Sequence, residues 1–251
     1  MGKKVRFTKV KRSLFLIWVT SIFLFAYSAQ AEEPLSFACN DFPPHKIANP
    51  DDPSLPGFDV EILKAAFAQT NTQMQVHFYP WKRAMHLARK GTVTGLCSCS
   101  YRPEREEYLL FSDKMGTVSS GVFRTASVPA IDSLDDLKGR PVGVVSGYSL
   151  VSSLEEAKAA PVIALNDQAA VRMLAAHRFD YLYGFKAATE FQMRHKTSPV
   201  AIHYQETSKS NYYMCVSKRA PGAQDILDRF NQGLEAIHDN GTYQSIMDKY
   251  R

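Results

Sequence analysis

A two-lobed α/β fold is predicted for this chain, and three observations predict it. Strand-like and helix-like runs alternate through most of the sequence, the pattern that gives mostly parallel sheets covered by helices. The alternation restarts near Ala130, so two β-α sets follow one another, each suited to its own sheet. Beyond the first 31 residues, the remaining 220 of 251 hold no low-complexity stretch or long charge run. A chain of that length buries one substantial core or two small ones.

The first set opens with Leu35–Cys39, a strand halted by Asn40-Asp41-Phe42-Pro43-Pro44, where paired prolines impose an extended turn. A Pro-, Asp- and Asn-rich loop runs to Gly57. Phe58, Ile62, Ala65 and Ala66 then recur at helical spacing, with Asp59 and Glu61 favouring the helix start. Met74–Tyr79 alternates as a strand, Trp81–Lys90 reads as a helix stopped by Gly91, and Val93–Ser98 as another strand. In the second set, Leu134 and Leu137 mark a helical turn and Val142–Val145 a buried strand. Gly147-Tyr148-Ser149 turns into a helix over 150–159. Val162–Leu165 is a strand, and Asn166-Asp167 caps the helix that carries Val171, Leu174 and Ala175. Phe179–Tyr183 is a strand and Lys186–Arg194 a helix. Tyr212–Ser217 forms the last strand, before helices at about 222–239 and 242–250.

The N-terminus carries an address. Lys3, Lys4, Arg6, Lys9, Lys11 and Arg12 precede an apolar run from Leu14 to Tyr27, and Ala29-Gln30-Ala31 offers a cleavage site before Glu32. That order defines a secretory signal peptide over residues 1–31. The run of fourteen residues is short of the roughly 20 that span a bilayer. No lipobox-like Leu-x-x precedes Cys39. The mature chain is therefore expected to be a free periplasmic protein, not lipid-anchored and not membrane-embedded.

Cleavage also changes the charge. The whole chain has 30 Lys+Arg against 25 Asp+Glu, and six of the basic residues lie in the leader, leaving 24 against 25. No concentrated basic surface remains, which excludes nucleic acid as a partner. Seven dispersed histidines show no ligand spacing, so no metal is expected. No glycine-rich phosphate loop or nucleophile elbow is present, so neither a cofactor nor a catalytic group is expected. Cys97-Ser98-Cys99 is not C-x-x-C. Cys39 and Cys97 end strands that should be neighbours, but free thiols, one bridge and two bridges all remain open for Cys39, Cys97, Cys99 and Cys215.

In open α/β sheets, small molecules bind beyond the carboxyl ends of strands. Those ends carry Asn40-Asp41-Phe42, Trp81, Ser98 to Ser100, Gly147-Tyr148-Ser149 and Phe185, with Arg83, Arg102 and Arg105 close in sequence. Aromatic walls with a few polar groups are the usual make-up of a ligand pocket. The candidate ligand contacts are Asp41, Phe42, Trp81, Arg83, Ser98, Ser100, Arg105, Gly147, Tyr148, Ser149 and Phe185.

These residues resemble those of the family 3 extracellular solute-binding proteins, the polar amino-acid binders of ABC importers. The likeness rests on the order of Asn40-Asp41-Phe42-Pro43-Pro44, Gly57-Phe58-Asp59-Val60-Glu61, Trp81 opening a helix, Gly91-x-Val93, and Pro103-Glu104-Arg105 followed by Phe111-Ser112-Asp113. It continues through Leu134-x-Asp136-Leu137-Lys138-Gly139-x-x-Val142-Gly143-Val144 to Asn240-Gly241-Thr242-Tyr243, and so covers nearly the whole mature chain.

The resemblance implies a type II periplasmic-binding-protein fold with crossing hinge strands. Residues 32–120 plus 212–251 would form one lobe and 121–211 the other, closing on a ligand that contacts both. It implies a monomer that hands a small, carboxylate-bearing ligand to an inner-membrane ABC permease. The same scaffold also resembles cyclohexadienyl dehydratases, for whose chemistry Glu190 and Asp41 would be the nearest acids, and it can serve as the sensing partner of a membrane receptor. Arg105 matches the family arginine that grips the ligand α-carboxylate, chemistry suited to a guanidinium; otherwise it is a solvated surface arginine. The Ser149 turn would hold the same carboxylate or simply cap a helix. Trp81 would stack on the ligand or lie in the core, and Arg83 would enter the cleft or pair with an acid. One position departs from the family. Its amino-acid binders place an Asp, partner of the ligand ammonium, five residues after the strand Asp; here that is Asp180, and Phe185 stands at the site. A carboxylate ligand with an aromatic or apolar body then fits better than an ordinary L-amino acid, unless Asp41, Asp59 or Glu190 substitutes for the missing acid.

Overall fold

In the computed structural model, which describes residues 1–3, 33–194 and 201–250, parallel pairing organises both ends of one sheet. The leader reading at residues 1–31 falls almost wholly outside the described residues. β1 (Leu35–Cys39) runs parallel to β2 (Met74–Phe78) and β3 (Gly95–Ser100), and α1 (Phe58–Gln69) and α2 (Trp81–Lys90) complete the two crossovers. Gly91 ends α2 in the left-handed conformation, as a glycine stop should. Beyond β4 (Leu109–Thr125), β5 (Pro141–Val145) pairs in parallel with β6 (Ala160–Ala164) and β7 (Tyr181–Phe185), joined by α3 (Leu150–Glu156) and α4 (Asp167–Ala175). The Asn166 side chain accepts the Ala169 N–H at 2.8 Å and so caps α4. After α5 (Lys186–Arg194) comes β8 (Ile202–Ser217); α6 (Ala223–Asp239) and α7 (Thr242–Asp248) follow. α6 returns to the first set, where Phe230 packs on Phe67 of α1 at 5.4 Å.

Two features lay outside the residue-by-residue reading. β4 is a 17-residue strand where no element was read, and β8 begins about ten residues before the expected start. They pair antiparallel almost end to end and join both parallel sets into one ladder, β2-β1-β3-β8-β4-β7-β5-β6. Both interleave Ser, Thr and charged residues with apolar ones, and long stretches of each are exposed or half-buried, so neither shows a continuous apolar run. Smaller differences are a β3 that continues to Ser100 and an α3 that stops at Glu156.

All four cysteines are paired. Cys39–Cys97 ties β1 to β3, and Cys99–Cys215 ties β3 to β8. Ser98 therefore sits between two cross-linked residues at the carboxyl end of β3.

Candidate functional site

The carboxyl ends of β1, β3 and β7, with the loop after β5, converge on a cavity of about 50 Å³. β4 and β8 pass behind it and contribute Val118 and Tyr212. Its polar groups come mostly from one side and its aromatic cover from the other.

Arg105 closes a single 3₁₀ turn, Pro103–Arg105, that folds it back under β3. It is only 6% exposed, so it is no solvated surface arginine. Its Nη1 donates to the Ser100 carbonyl at 2.8 Å, and the guanidinium lies 5.7 Å from the Trp81 ring centre. Burial pulls its pKa down from the ordinary value, yet a guanidinium keeps its charge. Among the described residues no acid forms an ion pair with it, which leaves donors for an anion in the cavity that it lines.

Beside it lies a buried polar chain that sequence reasoning missed. Phe42 and Lys46 exchange backbone hydrogen bonds at 2.8 and 2.9 Å, turning the post-proline loop inward. Gly57 lets this loop pass close to α1: its φ is 100°, and a Cβ there would stand 2.4 Å from the His45 carbonyl oxygen. Lys46 is 3% exposed. Its Nζ donates to Ser98 Oγ at 2.7 Å, and Ser98 Oγ donates to Asp59 Oδ2 at 2.7 Å. Tyr212 donates to Asp59 Oδ1 at 2.9 Å, and His45 Nδ1 lies 3.3 Å from Oδ2. Burial alone would push Asp59 up, but His45, Lys46 and the Ser98 hydrogen bond outweigh it and hold the carboxyl below its ordinary value. Burial dominates for Lys46 and lowers its pKa to about 8 against the pull of Asp59.

The opposite wall is aromatic. Phe185, at the end of β7, meets Phe42 edge-on at 5.6 Å, and Tyr148 meets Phe42 edge-on at 5.9 Å, geometries that aromatic pairs favour. The Tyr148 hydroxyl donates to Asp167 Oδ2 at 2.7 Å, and burial raises that carboxyl to about 6. Two contacts reach across the cleft: Trp81 Nε1 donates to the Gly147 carbonyl at 2.9 Å, and Arg102 Nη2 to the Ser149 carbonyl at 2.6 Å.

Eight of the eleven expected contacts line the cavity: Phe42, Trp81, Ser98, Ser100, Arg105, Tyr148, Ser149 and Phe185. Trp81 is half-buried, packing against the hydrophobic core while it lines the cavity. Gly147 takes part only through its carbonyl. Asp41 and Arg83 stand outside. Asp41 is exposed and accepts the Ala48 N–H, while Arg83 is exposed with its guanidinium over Tyr79. Asn40, His45, Lys46 and Tyr212 also line it. The proline pair signalled the turn but not its inward direction, and an Asn-His-Lys loop reads as solvated.

Among the described residues, no carboxylate lines the cavity. Asp59 lies beneath it, fully buried and occupied by its partners. Glu190 lines a neighbouring cavity of about 210 Å³ with Lys186, on the far side of Phe185.

Residues 37–251 match the model of the bacterial extracellular solute-binding proteins, family 3. The chain belongs to that family. Among relatives of this family 3 protein is the L-arginine-binding protein of Pseudomonas aeruginosa, 25% identical over 224 residues, which are 83% of this chain and 84% of the relative. Among solved structures, the sensor domain of a histidine kinase with similarity to periplasmic binding proteins superposes with a TM-score of 0.78 at 21% identity, over 87% of this chain and 96% of that one. An ancestral arginine-binding protein bound to arginine gives 0.75 at 21% identity, over 87% and 98%. The family 3 chain thus has the two-lobed type II fold, with β4 and β8 as the strands that cross between its parallel sets. Its named relatives are binding proteins. Among the described residues, no helix is long and apolar enough to cross a membrane and no metal-ligand cluster occurs.

Proposed function

We propose that this family 3 protein is a periplasmic solute-binding protein that captures a small carboxylate-bearing ligand between its lobes and delivers it to an ABC permease. The observation that carries the reading is Arg105, a buried guanidinium without an ion-pair partner among the described residues, aimed into a cavity that both sides of the cleft line. Ser100, Ser149 and the Trp81 ring complete a small polar and aromatic cradle for one carboxylate. At the ammonium end, where the family resemblance implies an acid, this chain has the Phe185 ring. A phenyl face gives an ammonium only a weak attraction.

The test is calorimetric titration of the wild type with amino acids and mono- and dicarboxylates, repeated with Arg105→Ala. A hydrogen bond to a charged group contributes about 1.5–3 kcal/mol, so Arg105→Ala should weaken carboxylate binding roughly ten-fold or more. Unchanged affinity, or no carboxylate bound by the wild type, overturns the reading.

A further inference from the structure

The ammonium of Lys46 is an unusual thing to find in the wall of this cavity. It lies on the side that carries Arg105, and its anchoring Ser98 is two residues from Ser100, which anchors Arg105. An ammonium has three donors, and one goes to Ser98 Oγ. Asp59 Oδ2 is 3.9 Å away, and the Phe42 ring centre 5.1 Å. The Asp59 oxygens already accept from Ser98 and Tyr212. Lys46 therefore faces the cavity as a buried cation only partly compensated, and a buried charge in that state is costly until an anion completes it.

We propose that Lys46 is a second cationic anchor, and that the ligand class is a short dianion without an ammonium, such as a five-carbon dicarboxylate held between Arg105 and Lys46. This rests on the carboxylate reading above and narrows it. The Phe42, Tyr148 and Phe185 rings close one side of the cavity, which favours a short body. An ammonium-bearing ligand would set a second cation near Lys46 with no carboxylate lining the cavity to receive it.

Protonation supplies an independent handle. With its pKa lowered to about 8, Lys46 is charged at pH 7 and loses its proton as pH rises through that value, later when a bound anion holds the proton on. The groups around it are Asp59, Asp167 and Asp41, with His45 on Asp59 and the hydroxyls of Tyr148 and Tyr212. Both tyrosines are pushed well above their ordinary range and stay neutral there.

The probes are glutarate and pentanoate, which differ by one carboxylate. Calorimetry at pH 7 should give glutarate at least ten-fold tighter binding to the wild type. Lys46→Met should bring the two within about three-fold while pentanoate affinity is retained. In the wild type, which keeps the test independent of how the variant folds, the glutarate advantage should shrink between pH 8 and pH 10. A decline that persists in Lys46→Met does not come from Lys46 and overturns the assignment. Equal binding of the two acids by the wild type, or an unchanged ratio in Lys46→Met, overturns the second anchor and leaves the first at Arg105 standing. Tighter binding of L-arginine than of either probe also overturns it, pointing to Glu190 as the acid reached past Phe185. Failure of every carboxylate, or unchanged affinity in Arg105→Ala, would take the parent reading down as well.

Discussion

The cleft wall built by β1, β3 and β8 is cross-linked twice and carries the buried charges, whereas the wall built by β5, β7 and α4 is aromatic and bears a single buried acid, Asp167. The two buried carboxylates behave oppositely. Asp59 is held below its ordinary pKa by His45, Lys46 and Ser98 despite its burial, while burial raises Asp167 to about 6 even though Tyr148 donates to it. The contrast teaches that burial does not set a carboxyl's behaviour by itself; the number and charge of its partners decide. It also suggests a division of labour, with one rigid charged wall that selects the ligand's anionic groups and one apolar wall that closes over its body.

The largest effect is expected from breaking the charged wall. Asp59→Asn leaves Lys46 buried without its counter-ion, and removal of one partner from such a pair costs about 3–5 kcal/mol. Urea unfolding at pH 7 should report a loss of that order. The pH dependence carries the sign. A carboxyl held below its ordinary value stabilises the fold above that value and loses the contribution as pH falls, so Asp59→Asn should flatten the acid limb of the stability profile. Asp167 has the reverse sign. Its raised pKa means the folded state binds a proton more tightly, so its contribution is most favourable near pH 4 and is lost as pH rises through about 6. Asp167→Asn should therefore narrow the difference in stability between pH 5 and pH 7. The same response in both variants would remove the distinction between the walls.

A smaller effect sharpens how the walls meet. Gly147 has a φ of 75°, and a Cβ there would stand 3.1 Å from Trp81 Cδ1. Gly147→Ala should cost about 1 kcal/mol through the left-handed conformation and disturb the Trp81 hydrogen bond across the cleft. Denaturant unfolding together with Trp fluorescence checks both; an unperturbed emission would show that the two walls do not depend on this contact.

Much of this was legible in the sequence, unevenly. The parallel sets came through because short Val-, Ile- and Leu-bearing runs such as Val142–Val145 are bounded by Gly and Pro, and helices such as Trp81–Lys90 have clear stops. Arg105, Phe185 and the Ser149 turn were found because strand ends and a family pattern coincide there. β4 was not, since its Ser, Thr and Gly residues mask an alternation that only pairing with β8 reveals. Lys46 was missed for a different reason. Its burial depends on a backbone bridge to Phe42, on the room that Gly57 leaves, and on Ser98, 52 residues away. No local pattern encodes three such conditions at once.

A cleft with Arg105 and Lys46 in its wall is expected to receive anions and to disfavour an ammonium. L-glutamate and glutarate differ by that group alone, so their affinities for the wild-type protein at pH 7 form the most direct test. Glutarate is expected to bind at least ten-fold more tightly, a difference of about 1.4 kcal/mol or more. L-glutamate binding as tightly as glutarate, or more tightly, would contradict the claim.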